Sequence, residues 1–210
     1  VLNAVSDGAE GQQVLTEEYL ALLEAWSRRL TAESVSADLT LRADCGPLVL
    51  SETLQYDCKK PVSCIRKDAL AVYFTDEKLC GADGKAAGTE MEQLAVSSQL
   101  LTLSYQLLLN GDVQAANTGA DSYVFSLSLD EDGMRQVCSA ILPESNQQKL
   151  SMTEGSITVL VQAGELSAIR ISCTGSVHIV TSDAAASVEA QIAYTDRTVS
   201  IPQPVWDALT

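Results

Sequence analysis

The chain of 210 residues carries 13 Lys and Arg against 28 Asp and Glu, a formal net charge of −15, with six cysteines and a single histidine. Phosphate backbones and anionic lipid surfaces repel such a polyanion, because binding there depends on Lys and Arg displacing counterions, so nucleic acid is excluded as a partner. At 46% hydrophobic and 20% charged residues the composition is globular rather than disordered, and a chain of this length buries roughly 70% of its unfolded surface without needing disulfides.

The first residue is Val1 rather than Met, which points to a start codon and a targeting segment upstream. Residues 1–14, polar and without an apolar period, read as a flexible tether, and 15–210 as one domain. Leu15, Tyr19, Leu22, Leu23, Trp26 and Leu30 recur at steps of three and four, which predicts an amphipathic helix from Thr16 to Leu30. From Val35 the period becomes two. Val35 to Ala43 and Leu48 to Tyr56 form a hairpin about Cys45-Gly46-Pro47, followed by strands at Val62 to Ile65 and Leu70 to Thr75 and a turn at Asp83-Gly84.

Thr89 and Glu92 have capping-box spacing, so one helix is predicted from Thr89 to Leu109, ending at Asn110-Gly111 in the left-handed conformation. That segment is too broken by serine, threonine and glutamine to span a membrane, yet apolar enough to be covered on more than one face. Tyr123 to Leu129 alternate as a strand, and Asp130 caps a short helix through Met134, Val137, Cys138 and Ile141 that stops at Pro143. Further strands follow at Ile157 to Val161, Ile169 to Val180 and Val188 to Tyr194, then a short strand near Val199 and a helical turn begun by Pro204. About seven strands joined by short turns and about three helices make an α+β protein with an antiparallel sheet.

Little in the sequence suggests catalysis. His178 is the only histidine and lies within an apparent strand, between Val177 and Ile179, so nucleophile systems have a single possible base there. Asp130-Glu131-Asp132-Gly133 invites a calcium loop, but Ser139 stands where an EF-hand needs its final Glu. Carboxylate pairs such as Glu17 and Glu18, or Glu52 and Asp57, have the residue types for acid–base work without a distinguishing context. The cysteines contain no C-x-x-C, which leaves no zinc knuckle or redox motif, and their pairing stays open. Cys58 and Cys64 flank a turn and are candidates to face each other; Cys138 and Cys173 fall on apolar positions. No metal and no cofactor is expected.

The order of elements resembles the lipoprotein-carrier-like (LolA/LppX-like) superfamily of bacterial envelope lipoproteins. The residues that carry the resemblance are the helix Thr16 to Leu30, the paired strands after it, the apolar helix Thr89 to Leu109, the hairpins from Ile157 to Tyr194, and the ending Ile201-Pro202-Gln203-Pro204-Val205, which is similar to that of small Firmicute lipoproteins. The resemblance implies a curved antiparallel half-barrel with helices on its concave face, and an extracytoplasmic domain of a Gram-positive bacterium, held at the membrane only through an N-terminal anchor absent from this chain. It further implies a monomer that binds a lipid or other hydrophobic ligand without catalysis. The expected lining is Leu39, Leu41, Leu50 and Leu54 on the sheet and Leu101, Tyr105 and Leu108 on the mid-chain helix. Two alternatives stand beside it: a surface interaction module whose helices fill the trough, and a carboxylate-based hydrolase.

Overall fold

The computed structural model describes residues 16–86, 88–147, 149–179 and 181–210. The expected tether, Leu15 of the first helical stripe and Val180 at the end of one expected strand lie outside them. The described chain runs α1 (Glu17–Thr31), β1 (Ser34–Cys45), β2 (Leu48–Lys59), β3 (Val62–Lys67), β4 (Leu70–Phe74), β5 (Leu79–Gly81), α2 (Thr89–Val96), α3 (Gln99–Asn110), β6 (Gln114–Gly119), β7 (Ser122–Ser128), α4 (Glu131–Ile141), α5 (Glu144–Gln147), β8 (Leu150–Gln162), β9 (Glu165–Ile179), β10 (Ser182–Thr195) and α6 (Gln203–Leu209).

All ten strands belong to one antiparallel sheet in the order β5-β4-β3-β2-β1-β10-β9-β8-β7-β6. The first and last strands of the central pair, β1 and β10, join the two halves, with Leu39 opposite Ile192 and Leu41 opposite Ala190. A sheet of this width curls, and it does so without closing, because β5 and β6 remain its two edges. One core runs along its inner face from Val72 on β4 to Phe125 on β7, and the apolar faces of α1 to α4 pack onto it. The fold is thus α+β with an antiparallel sheet, as the alternating pattern predicts, and the sheet is curved, as the resemblance implies.

The β1–β2 hairpin follows the period-two rule. Leu39, Leu41, Ala43 and Cys45 point inward while Arg42 and Asp44 face solvent, because successive strand residues alternate faces. At β3 and β4 both faces are covered. Ile65 and Val72 join the inner core, while Cys64 and Tyr73, each one residue away, pack outward with Cys80, Ile201, Val205 and Leu209 into a second, smaller core under α6. Gly84 supports that second layer. It adopts φ +76°, and a Cβ there would lie 2.7 Å from the Pro204 carbonyl.

Several expectations are corrected. The helix predicted from Thr89 to Leu109 is two helices, broken at Ser97-Ser98. Ser98 Oγ donates to the Ala95 carbonyl at 2.6 Å, a local bond that competes with the helical ladder, and Leu100 and Leu101 close short turns back to Ser97 and Ser98. Thr89 is the first helical residue rather than the cap. Gly88 takes the cap position, and no side chain caps α2. Gly111 is extended, at φ −101°, not left-handed; a Cβ there would meet Leu127 Cδ1 at 2.3 Å, so a larger residue would displace the Leu127 side chain. β5 and β6 add two strands to the expected sheet, and residues 196–202 form no strand. Cys58 lies opposite Ser63 and Cys64 opposite Asp57, so Cys58 and Cys64 point to opposite faces and do not meet.

Candidate functional site

The sheet residues expected to line a trough fall into two groups. Leu39, Leu41 and Leu54 have essentially no exposed surface, with Leu39 and Leu54 directly opposite each other across β1 and β2. They form the floor of the inner core. Leu50, opposite Ala43 and nearer the hairpin end, is half-buried.

On α3, Leu101, Tyr105 and Leu108 follow one stripe of the helix. Leu108 is buried, and Leu101 and Tyr105 are half-buried against the core. Tyr105 meets Trp26 of α1 with ring centroids 5.2 Å apart. Together with Tyr19, Leu22, Leu23 and Leu109, these side chains close the α1–α3 seam to a space of about 10 Å³, no more than one water occupies. Burial there raises the Tyr19 phenol above its ordinary value, and the neighbouring Tyr105 adds to the effect.

One space large enough for an organic ligand lies beside Leu50. A cleft of about 440 Å³ opens between the α2–α3 break and the C-terminal end of α4, over β2 to β4. Leu50 and Leu70 form its base, Leu94 and Val96 one wall, Ile141 and Leu142 the other. Its rim is polar. Lys67 Nζ pairs with Glu52 Oε1 at 2.5 Å, and Ser139 Oγ donates to Gln147 Oε1 at 3.0 Å while Gln147 Nε2 donates to the Leu142 carbonyl at 2.8 Å. Leu50 is therefore the expected lining residue that meets the cleft, and Leu70, Leu94, Val96 and Ile141 are lining residues that the sequence pattern did not single out. Pro143 ending α4 and the Ser97-Ser98 pair were the signals available: both interrupt helices whose ends now frame the opening. A second groove of about 530 Å³ lies between α3 and α4, where Leu103 and Ala140 are joined by Gln99, Gln106, Arg135 and Ser139.

The residues weighed for catalysis are occupied otherwise. His178 lies exposed on β9, its Nδ1 2.9 Å from Asp183 Oδ1 across the β9–β10 hairpin. Asp130 Oδ1 accepts from the Gly133 amide at 2.8 Å and caps α4, while Asp132 pairs with Arg135. Glu52 pairs with Lys67, and Asp57 with Arg66 and Arg197. Odd spacing on one strand sends Glu52 and Asp57 to opposite faces of β2. Among the described residues no group of three His, Cys, Asp or Glu side chains is placed to hold a metal ion.

No family model matches the sequence, and no curated protein matches it. Among solved structures the chain is similar to the Mycobacterium tuberculosis lipoprotein LppX, with 11% identity and a TM-score of 0.47 over 87% of this chain and 96% of that one. It is also similar to a LolA superfamily protein from Nitrosomonas europaea, with 11% identity and a TM-score of 0.30 over 89% of this chain and 96% of that one. Both likenesses extend over most of the chain.

Proposed function

We propose that this chain is a non-catalytic, extracytoplasmic lipoprotein domain that takes an apolar, lipid-like ligand through the cleft between α2 and α4, toward the leucines of β1 and β2. The cleft beside Leu50 carries this reading. Its volume, about 440 Å³, is within the ~300–1,000 Å³ of small-molecule sites, and an apolar base with a polar rim is the lining such sites share. Leu39, Leu41 and Leu54 lie on the same strand pair as Leu50, and Leu101, Tyr105 and Leu108 belong to the helix hinged at Ser97-Ser98. Movement of α2 and α3 about that break would extend the cleft over the floor. The acidic exterior suits a domain held off an anionic membrane by its N-terminal segment.

One observation favours a second reading, an interaction module with a solid core: Leu39, Leu41 and Leu54 are fully packed, and the α1–α3 seam is closed. Native mass spectrometry of protein taken from a lipid-containing lysate separates the two. The carrier reading expects a hydrophobic adduct on the wild-type chain that is lost in Leu50→Lys, whose ammonium would stand at the base of the cleft. Bare protein mass for both sinks it and leaves the solid module.

A further inference from the structure

Two cysteines far apart in sequence meet beneath α4. Cys138 lies on the buried stripe of that helix, one turn after Met134, and Cys173 lies on β9. Cys173 is directly opposite Gly155 of β8, so the two occupy neighbouring positions on the inner face. Gly155 is where α4 comes down onto the sheet. A Cβ there would lie 2.6 Å from Met134 Cγ and 3.0 Å from its Sδ. With Met134 seated on Gly155, the next turn of the helix carries Cys138 toward Cys173, the strand neighbour of Gly155, and each thiol shifts the ionisation of the other. They are 5% and 0% exposed. Of the remaining cysteines, Cys45 also neighbours Cys138 on the inner face, but its thiol donates to the Ser187 carbonyl at 3.9 Å; Cys58 and Cys64 point to opposite faces, and Cys64 and Cys80 are separated on the outer face by β4, which carries Tyr73 between them.

We propose that Cys138 and Cys173 are the pair that this chain joins as an intramolecular disulfide, tying α4 to the centre of the sheet. The oxidant is an external disulfide, small-molecule or protein, encountered while α4 is still undocked. One cysteine thiolate attacks a sulfur of that disulfide, whose S–S bond breaks to give a mixed disulfide and one released thiolate. The second cysteine thiolate then attacks the protein sulfur of the mixed disulfide, which forms the Cys138–Cys173 bond and expels the other external sulfur as thiolate. Two protein thiols lose two electrons and two protons, and the external disulfide becomes two thiols. In the docked arrangement, the Cys138 S–H donated toward Cys173 holds the Cys173 thiol below its ordinary range, whereas that bond and burial raise Cys138.

The test is thiol mapping of the full chain, refolded from reductant into a mixture of reduced and oxidised glutathione, then denatured and alkylated. The expected result leaves four of the six thiols alkylatable, with Cys138 and Cys173 recovered as one linked peptide that reductant separates. The linked form should melt on the order of 10 °C above the reduced form, because the bond closes a long loop in the unfolded chain. Cys138→Ala and Cys173→Ala should each lose the linked peptide and the shift, while Cys58→Ala keeps both. Six free thiols in the wild type, glutathione adducts alone, or a bridge between any other pair overturns the proposal. Mapping the wild type decides it even if a variant fails to fold.

Discussion

Asp57 is an acidic residue only 5% exposed, and its charge is held by two arginines from different parts of the chain. Arg66 of β3 pairs with one carboxylate oxygen, and Arg197 Nε approaches the other at 3.4 Å. Arg197 also pairs with Asp38 and donates through Nη2 to the Ala37 carbonyl at 2.8 Å. The segment after β10 is thereby fastened across β1 and β2 before it turns into α6. Removing one member of such a cluster leaves the partly buried arginine charges short of their partner, which costs about 3–5 kcal/mol at a fully buried site and somewhat less at this partly open one. Asp57→Ala should therefore lower the unfolding free energy by roughly 2–3 kcal/mol in urea titration, and an unchanged midpoint would show the cluster to be energetically idle. None of this was legible in the sequence. Arg197 reaches partners some 140 and 159 positions away, and no local pattern marks a residue whose contacts are set by sheet order.

At the scale of elements, β1, β2, β7 and β9 were legible because their period-two patterns survive in the observed burial, whereas only Ile157 to Val161 of β8 and Val188 to Tyr194 of β10 were, and β5, although largely buried, is too short to show a period. β6 was not legible, because all six of its residues are exposed and no apolar alternation is needed there. The break between α2 and α3 was hidden for the opposite reason: leucines on both sides continue the apolar period through Ser97-Ser98. As the break and the end of α4 frame the cleft, the site was legible in its sheet residue Leu50 but not in its walls. Glycines on β8 and β9 carried a signal that strand patterns alone pass over. Gly175 lies opposite Met152, beside the bulge at Met152 and Glu154, and a Cβ there would stand 2.1 Å from the Ser151 carbonyl oxygen and 2.7 Å from Met152 Cα. Those atoms are backbone and cannot rotate away. Gly175→Ala must push β8 off β9, at a cost of about 1–3 kcal/mol; a circular-dichroism melt coincident with wild type would show that the strands yield without strain.

The molecule as a whole carries a formal charge of −15 and buries several groups that become anionic only in alkali, so its stability should fail on the alkaline side. Burial pushes the Tyr194 phenol up to about 12 from an ordinary 10.0, against a smaller opposing effect of Arg29, whose guanidinium sits 5.1 Å from the ring centroid. Burial likewise pushes the Cys64 thiol up to about 11 from 9.0, with Arg66 opposing, and raises Tyr56. In each case the folded chain favours the protonated, neutral form. The stability linked to Tyr194 is therefore fully present below about pH 10 and lost as the pH climbs through about 12, because in that window the unfolded state has released a proton that the folded state retains. Two units correspond to roughly 3 kcal/mol, and the matching window for Cys64 opens about one unit lower. Every proton released adds an anion to a chain already strongly negative, which reinforces the loss. Urea midpoints should hold between about pH 7 and 9 and fall steeply toward 11. Tyr194→Phe, which removes one of the titrating groups without emptying the space its ring fills, should move that fall to higher pH while costing little at neutrality. If the variant and wild type lose stability along the same alkaline curve, the burial of Tyr194 is not what limits the fold there.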